Sequence, residues 1–339
     1  MRPVSNPPNP WETVHAEWLG EPPEARLQVF EEHSRSIIAE NDSPDVGFRF
    51  SVNPYRGCFH SCSYCYARPT HQYLGFGAGT DFETKIVVKV NAPELLRKEL
   101  SRRPLDGEPL VFSGVTDCYQ PLEAVYSVTR RCLEVCRDFR QSIGIVTKGA
   151  LVRRDIDILS ALAREADARV YLSIPFASDA TARLLEPNVA LPSQRLETLA
   201  ILSSAGIPTG IALAPIIPGI NDSDIPQLLA RGRSAGASRA FLTLLRLPAE
   251  VLPVFEERLA AAFPDREKKV WSAIAQMRRG KKNESRFGAR MGGVGPRWRA
   301  VELLFEAEKR RLGFRDDEEP SPPRTSRFER PPRQRSLFD

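Results

Sequence analysis

Short apolar runs alternate with amphipathic stretches along most of this chain. From residue 48 onward, apolar or alternating runs predict strands at residues 48–52, 85–90, 109–113, 142–147, 168–174, 208–213 and 239–244. Between them, apolar residues at helical spacing predict helices at residues 92–102, 122–139, 152–165, 193–205, 224–235 and 249–262. Short strands that alternate with helices of this length indicate βαβ units and therefore a parallel sheet.

About six main β/α units fit into the roughly 215 residues from 48 to 262. A closed TIM barrel needs eight such units, so the predicted fold is α/β with an open six-unit (β/α)6 partial TIM barrel. The open side would admit a large substrate. Functional side chains are expected at the carboxyl ends of the strands, as in closed barrels.

The two ends of the chain depart from this central pattern. Residues 1–40 are predicted to form a Pro-rich arm followed by a helix. The helix is predicted over residues 24–40 from four apolar positions, Leu27, Phe30, Ile37 and Ile38. The other predicted units are the partial barrel at 41–265, a basic helical extension at 266–314 and a disordered tail at 315–339.

Composition places the chain among soluble globular proteins. Its 339 residues are 42% hydrophobic and 27% charged, with a formal net charge of +5. No apolar run approaches the ~18 residues of a membrane span, and the first residues lack the apolar segment of a secretory signal. We therefore expect a cytoplasmic protein without membrane association. The mild positive charge is compatible with a polyanionic partner without requiring one.

Three of the six cysteines lie close together in the loop after the first main strand. Cys58, Cys62 and Cys65 follow the spacing C-x3-C-x2-C, and Tyr64 directly precedes the third cysteine. Soft thiolates are ligands for iron–sulfur clusters or for zinc. Three thiolates can hold three irons of a [4Fe–4S] cube and leave the fourth iron open to another ligand.

Three other interpretations of this loop stay open. Zinc could use the three cysteines with His60, although His60 is too near in sequence to complete a tetrahedron easily. Cys62 and Cys65 could form a redox-active C-x2-C pair, which leaves Cys58 without a role. The three cysteines could also be buried side chains that are grouped by chance.

The cysteine spacing, its aromatic residue and the six-unit pattern resemble the radical S-adenosylmethionine (SAM) superfamily. Within it, residues 58–66 and the downstream segments resemble the spore photoproduct lyase-like branch, whose members are often labelled DNA repair photolyases. The stretch NDSPDVGFRFSVNPYRGCFHSCSYCYARPTHQYLG is similar to one bacterial subgroup of that branch. The resemblance covers roughly residues 34–315.

The resemblance implies a [4Fe–4S] cluster on Cys58, Cys62 and Cys65, with SAM bound to the open iron through its amino and carboxylate groups. One electron from the reduced cluster would cleave the S–C5′ bond of SAM and give methionine and a 5′-deoxyadenosyl radical. That radical would abstract hydrogen from the substrate, while the protein positions both cofactors. The electron would come from a donor such as flavodoxin or ferredoxin.

Four residues match positions at which the branch contacts SAM. Tyr64 would lie against the adenine, and Lys148, after the third main strand, would bond the SAM carboxylate. Ser173, which ends the next strand, and Thr116, after the second strand, would lie near SAM. The alternatives are structural roles: a core tyrosine, a solvated lysine, a serine that caps a turn, and a turn formed with Asp117.

Cys118 marks a departure from the branch. Spore photoproduct lyase proper uses a cysteine as hydrogen donor three residues before the Asp that matches Asp117, and that position is Gly114 here. Cys118 could act as a displaced hydrogen donor in catalysis, or it could be a small packing residue at a strand end. Without the matching donor, the case for thymine-dimer reversal is weaker.

Two features favour a role at nucleic acid. Residues 266–290 carry a basic run with aromatic residues and glycines, which fits either a phosphate-binding surface or an ordinary solvated face. After Arg266, its basic residues are Lys268, Lys269, Arg278, Arg279, Lys281, Lys282, Arg286 and Arg290. The short peptide that binds the bacterial sliding clamp resembles the last residues of this chain, Gln334, Ser336, Leu337 and Phe338. Such a peptide on a disordered arm could dock in an apolar pocket of the clamp.

The leading hypothesis is a lyase-like radical SAM enzyme that acts on nucleic acid, in DNA repair or modification. A radical SAM enzyme that acts on a peptide or a small molecule is the alternative within the superfamily. A non-enzymatic iron–sulfur protein that senses redox state or binds DNA is a further alternative. Release of 5′-deoxyadenosine from SAM after reduction separates the enzymes from the sensor.

Overall fold

The computed structural model describes residues 6–11, 26–315 and 327–331. Most of the predicted arm and tail, with the four residues of the clamp-like peptide, lies outside these ranges. The strands are, in chain order, β1 (Gln28–Glu32), β2 (Ile38–Glu40), β3 (Phe50–Val52), β4 (Tyr55–Arg56), β5 (Lys85–Lys89), β6 (Leu110–Phe112), β7 (Ile143–Thr147), β8 (Ala168–Ser173), β9 (Thr209–Ile216) and β10 (Arg239–Leu244). The helices are α1 (Thr80–Thr84), α2 (Ala92–Arg102), α3 (Glu123–Tyr126), α4 (Val128–Asp138), α5 (Ile156–Glu165), α6 (Asp179–Leu185), α7 (Pro192–Ser204), α8 (Ile225–Ser234), α9 (Val251–Ala262), α10 (Glu267–Met277) and α11 (Gly295–Leu312).

Seven strands form the main sheet, in the order β10-β9-β8-β7-β6-β3-β2. The six strands from β3 to β10 in this order pair in parallel, and β2 pairs antiparallel with β3. In the described ranges β10 and β2 are the two edges of the sheet, so the barrel is open between them. The predicted open partial barrel of six β/α units is confirmed.

Apolar side chains of the helices pack against the main sheet and form the core. Leu133 on α4, Leu159 on α5 and Leu199 on α7 are fully buried, and so are Ile145 and Leu172 on the strands. Burial of one such side chain stabilises the fold by about 1.5–3 kcal/mol relative to exposure. This packing fixes the sheet and therefore the loops at the carboxyl ends of its strands.

Residues 26–40, the described part of the helix predicted over 24–40, do not form a helix. They contain β1, which pairs in parallel with β5 from Gln28 opposite Lys85, and β2, which pairs with β3. Most side chains of β1 are exposed, so its apolar residues do not mark a buried helical face. Hydrogen bonding to strands that are distant in sequence overrides the local spacing.

β5 lies outside the barrel sheet, in a three-stranded sheet of order β1-β5-β4. In this sheet β4 pairs antiparallel with β5, with Tyr55 opposite Val88. Arg56, the last residue of β4, is followed directly by the loop that carries the three cysteines. The small sheet therefore anchors the start of that loop.

The predicted helix over residues 122–139 is interrupted at Ser127. The φ angle of Ser127 is 50°, in the left-handed region, and it separates α3 from α4. Cys132 and Cys136 lie on α4 and are fully buried in the core, as their spacing along one helix face predicts.

The C-terminal extension consists of α10, an irregular segment and α11, which packs on α8. Arg278, directly after α10, is buried and belongs to the predicted basic run. Its guanidinium donates hydrogen bonds of 2.7–3.2 Å to four carbonyl groups, those of Leu245, Ala289, Arg290 and Gly292. Arg278 therefore holds the irregular segment on the barrel and is not exposed for phosphate binding. Among the helices of the described ranges, none combines the length and apolar character needed to cross a bilayer.

Candidate functional site

The three clustered cysteines lie in a tightly folded loop after β4. All three are unbridged, with Cys58 and Cys62 buried and Cys65 partly exposed. Two residues in the left-handed region turn the loop, Gly57 with φ of 75° and Ser61 with φ of 58°. A Cβ at Gly57 would come within 3.0 Å of three neighbouring atoms, so glycine is required at this position.

A buried arginine holds the middle of the cysteine loop. Arg68 is fully buried and donates to the carbonyl oxygen of Cys62 from Nε at 3.2 Å and from Nη2 at 2.9 Å. Its Nη1 donates to the carbonyl oxygens of Ala78 and Gly79, each at 3.0 Å. Glu83 pairs with the same guanidinium and compensates its charge. Arg68 therefore ties the middle of the cysteine loop to the segment at residues 78–83.

Two amides attach the loop to the barrel. The buried side chain of Gln120 accepts from the backbone N–H of Phe59 at 3.0 Å and donates to the carbonyl oxygen of Gly57 at 3.2 Å. Asn188 donates to the carbonyl oxygen of Phe59 and to Oγ of Ser61, both at 3.0 Å. The loop is thus fixed against segments that follow two different barrel strands, β6 and β8.

The thiols of the loop fit an iron–sulfur cube better than a single ion. In the described ranges, no group of three or more His, Cys, Asp or Glu side chains could surround one metal ion. His60 pairs with Asp117, with Nδ1 at 3.3 Å from the carboxylate, and it also hydrogen-bonds the side chain of Cys58. A zinc site needs its ligands around one ion, whereas a cube binds each thiolate through a different iron.

Burial also makes two of these thiols dependent on a bound cation. It raises the pKa of Cys62 well above its ordinary value, and it raises the pKa of Cys65 to about 11. Thiolates at such positions form when a metal supplies compensating positive charge. Cys62 and Cys65 therefore have the chemistry expected of cluster ligands.

Lys148 follows β7, and its largely buried side chain is 14% exposed. Its Nζ donates to Oγ of Ser173 at 2.5 Å and to the carbonyl oxygen of Ala214 at 3.4 Å. It also lies 3.1 Å from a carboxylate oxygen of Glu186 and 5.7 Å from the ring centroid of Tyr64. The structure therefore brings together three residues predicted to contact SAM: Tyr64, Lys148 and Ser173.

Glu186 is the anion at the centre of this cluster. Its buried carboxylate accepts hydrogen bonds from the hydroxyl of Tyr64 and from Arg195, in addition to the ion pair with Lys148. Burial alone would raise the pKa of Glu186, but Arg195 and Lys148 outweigh it and bring the pKa to about 2. Arg195 also donates to the carbonyl oxygen of Ser173 at 2.6 Å. At neutral pH the cluster therefore contains an ionised glutamate between two cations.

Asp117 links the cysteine loop to the end of β7. Its carboxylate accepts from Oγ1 of Thr147 at 2.6 Å and from the backbone N–H of Lys148 at 2.8 Å, and it pairs with His60. Burial would raise its pKa, but His60 and these hydrogen bonds lower it to about 2. Asp117 also accepts from the N–H of Tyr119 at 2.9 Å, so it forms the turn that the sequence indicates.

Thr116 and Cys118 make contacts with the backbone and with core side chains. Oγ1 of Thr116 donates to the carbonyl oxygen of Tyr55 at 2.9 Å. Cys118 is fully buried among core side chains, and burial raises the pKa of its thiol well above the ordinary value. These surroundings favour the packing alternative for Cys118, so its role as hydrogen donor gains no support. A contact between Thr116 and SAM stays a prediction.

Four buried polar residues of the site escape the sequence analysis: Arg68, Gln120, Glu186 and Arg195. Three of these, Arg68, Gln120 and Glu186, directly precede a proline. That pattern is the available sequence signal, because a polar residue fixed beside proline in a loop is a candidate for a buried hydrogen-bonding role. Arg195 lies within α7 and carries no comparable signal.

Comparisons with known proteins agree with this site. The Radical SAM superfamily profile matches residues 52–231. An uncharacterized protein of Mycobacterium tuberculosis is 35% identical over 220 residues, covering 64% of this chain and 65% of that protein. The Radical SAM Nalpha-GlyT isomerase of Pseudomonas phage M6 is 27% identical over 221 residues, covering 64% of this chain and 44% of that protein. The matched part is thus less than two thirds of either relative.

Among solved structures, spore photoproduct lyase complexed with dinucleoside spore photoproduct has the same fold. Its TM-score is 0.61 at 18% identity, covering 87% of this chain and 84% of that chain. Spore photoproduct lyase has also been solved with bound AdoMet, and that structure matches with a TM-score of 0.56. With the superfamily profile over more than half of the 339 residues, the chain belongs to the radical SAM superfamily, whose members use a [4Fe–4S] cluster and SAM.

Proposed function

We propose that this chain cleaves SAM reductively and acts on a nucleic-acid substrate, in repair or modification. The observation that carries the SAM chemistry is the buried pair of Lys148 and Glu186 beside the cysteine loop. Lys148 is close enough to Cys62 and Cys65 to lower the pKa of both thiols against the effect of burial. Arg195 also pairs with Glu186, so the two cations outnumber this carboxylate, and Lys148 can offer a charge-assisted hydrogen bond to the carboxylate of SAM.

The residues of the site divide the work as follows. Cys58, Cys62 and Cys65 would hold the cluster, and Lys148 would bind the SAM carboxylate. The ring of Tyr64 would lie along the adenine, with its hydroxyl fixed by Glu186. When bound, the cluster and SAM supply a 5′-deoxyadenosyl radical that abstracts hydrogen from substrate. Burial of these side chains excludes water from the positions where the radical would otherwise be lost.

Support for nucleic acid comes from the relatives and from exposed cations. The spore photoproduct lyase structure with the same fold holds a dinucleoside photoproduct. Of the predicted basic run, Arg278 is buried, Arg290 pairs with Asp45, and Lys282 and Arg286 pair with glutamates. The exposed remainder is Lys268, Lys269, Arg279 and Lys281. The proposed phosphate-binding surface therefore contains fewer available cations than the sequence predicts.

The test of this function is a SAM cleavage assay. Anaerobically reconstituted and reduced protein is expected to release 5′-deoxyadenosine from SAM, and damaged or modified DNA should increase the yield. Release of 5′-deoxyadenosine that peptides stimulate and DNA does not would favour the alternative substrate class. Absence of 5′-deoxyadenosine from protein with a full cluster would favour a sensor.

Lys148→Ala is expected to weaken SAM binding while the cluster is retained. The variant loses a charge-assisted hydrogen bond worth about 1.5–3 kcal/mol, so the dissociation constant of SAM should rise about tenfold or more. Equilibrium dialysis with labelled SAM measures this change. Lys281→Ala, which removes an exposed lysine, is the matched control and should bind SAM normally. An unchanged affinity in Lys148→Ala would remove Lys148 from the SAM site.

We further propose that the C-terminal residues Gln334, Ser336, Leu337 and Phe338 bind the bacterial sliding clamp. Leu337 and Phe338 would fill an apolar pocket, and Gln334 would set the register. Burial of the two apolar side chains contributes about 3–6 kcal/mol, less the cost of ordering the peptide, which supports roughly micromolar affinity. A labelled peptide of residues 328–339 should bind the clamp. The same peptide with Leu337→Ala and Phe338→Ala should not bind, and equal binding of the two peptides would contradict the proposal.

A cytoplasmic location and a protein electron donor complete the proposal. Free thiols persist in the reducing cytosol, and all six cysteines of the chain are unbridged. Each reductive cleavage of SAM requires one electron, which a flavodoxin or ferredoxin would deliver to the cluster.

A further inference from the structure

We propose that Arg246 binds a backbone phosphate of the nucleic-acid substrate beside the cysteine loop. This inference rests on the function proposed above and assigns the substrate contact to one residue. Arg246 lies two residues after the end of β10, at the carboxyl edge where barrel enzymes carry their functional groups.

The backbone on both sides of Arg246 is fixed. The N–H of Leu245 donates to the carbonyl oxygen of Ile216 at 3.0 Å, and the N–H of Leu247 donates to Oδ1 of Asn283 at 3.0 Å. The carbonyl oxygen of Leu245 accepts from the buried Arg278 at 2.8 Å. The backbone at Arg246 is therefore held in place before any ligand binds.

The guanidinium of Arg246 has almost no partners in the described ranges. Its Nε is buried without a hydrogen-bond partner, and its Nη1 contacts only the sulfur of Met291 at 3.5 Å. Asp45 is the carboxylate that raises its pKa, and Asp45 already pairs with Arg290. A half-buried guanidinium with a thioether as its neighbour lacks the anion that normally compensates such a charge.

The surroundings place this cation next to the cluster ligands. The guanidinium lies 5.8 Å from the ring centroid of Tyr66, the residue directly after Cys65. The hydroxyl of Tyr66 donates to the carbonyl oxygen of Gly114 at 2.7 Å, two residues after β6. Tyr66 therefore connects the segments after β6 and β10, and the guanidinium of Arg246 lies over its ring. A substrate held by Arg246 would lie close to the proposed radical.

The chemistry of the side chain selects a phosphate. The planar guanidinium offers paired N–H donors that match two phosphate oxygens, and it keeps its charge at every physiological pH. One phosphate contact on single-stranded nucleic acid changes the slope of log affinity against log salt concentration by about 0.7. This slope counts ionic contacts and is therefore the quantity to measure.

The experiment titrates a fluorescein-labelled oligothymidylate into the reconstituted protein at several salt concentrations. Arg246→Gln is expected to lower affinity roughly tenfold and to reduce the salt slope by about 0.7. Arg102→Gln, which removes an exposed arginine of α2, is the matched control and should leave both quantities unchanged. Arg246→Lys should keep the salt slope and lose part of the affinity, because lysine keeps the positive charge but lacks the paired N–H donors of the guanidinium.

The outcomes separate the inference from the proposed function. If the wild-type protein does not bind the oligonucleotide, both are overturned. If it binds and Arg246→Gln binds with the same slope, only the role of Arg246 is overturned. A loss of SAM affinity in Arg246→Gln with an unchanged slope would also overturn it and assign Arg246 to the cofactor. An oligonucleotide with uncharged methylphosphonate linkages gives a second readout, since it should bind wild type and Arg246→Gln equally.

Discussion

Cys62→Ala is expected to abolish the iron–sulfur cluster, while Cys132→Ala keeps it. Cys62 is one of the three loop thiols and Arg68 holds its carbonyl oxygen, so the variant keeps the loop and loses one ligand. Cys132 is fully buried on α4 within the apolar core. Iron and sulfide analysis of anaerobically reconstituted protein should give about four of each per chain for wild type and Cys132→Ala. Cys62→Ala should contain almost none.

Two further variants complete this comparison. Cys118→Ala and Cys136→Ala remove buried core thiols and should retain the cluster. Equal loss of iron in the loop and core variants would mean that cluster loss follows from unfolding. Stoichiometric zinc without iron in the wild-type protein would contradict the cluster assignment itself.

The barrel could be predicted from sequence because its signals are local. Each strand from β6 to β10 is a short apolar run between amphipathic helices, and burial of the helix faces enforces that order. The apolar spacing around β1 and β2 predicts one helix, whereas these strands gain their stability from β5 and β3, which they meet only in the folded chain. Pairing with a distant strand produces no pattern of apolar residues in the sequence of the strand that it stabilises.

The residues of the candidate site also divide into those with a local sequence signal and those without one. The cysteine loop and Lys148 could be predicted because a family motif and a strand end mark them. Glu186 and Arg195 could not, because their meaning depends on a buried contact with Lys148 and Tyr64 across the fold. From sequence alone, a charged residue is predicted to be exposed to solvent unless its partners are known. For the same reason the sequence places Arg278 among the surface cations, although its guanidinium donates to four carbonyl groups.

The buried cluster around Glu186 has a consequence for stability. Arg195 is almost fully buried, and Lys148 is 14% exposed, so neither cation can be fully hydrated without its carboxylate partner. Removal of one member of a buried ion pair leaves an uncompensated charge, which costs about 3–5 kcal/mol. The carboxylate also holds the hydroxyl of Tyr64, so its loss frees the ring proposed to lie against SAM.

Glu186→Gln should therefore lower the free energy of unfolding by about 3–5 kcal/mol, because the amide keeps the shape and removes the charge. Glu197→Gln is the matched control: Glu197 is 63% exposed and pairs with Arg153 at 3.0 Å on the surface, so its loss should cost at most about 1 kcal/mol. Urea unfolding of both variants under anaerobic conditions, followed by circular dichroism, measures the difference. Equal midpoints for the two variants would show that the buried carboxylate contributes no more than a surface one. A lower midpoint for Glu186→Gln together with weaker SAM binding would show that one buried anion both stabilises the barrel and orders the cofactor site.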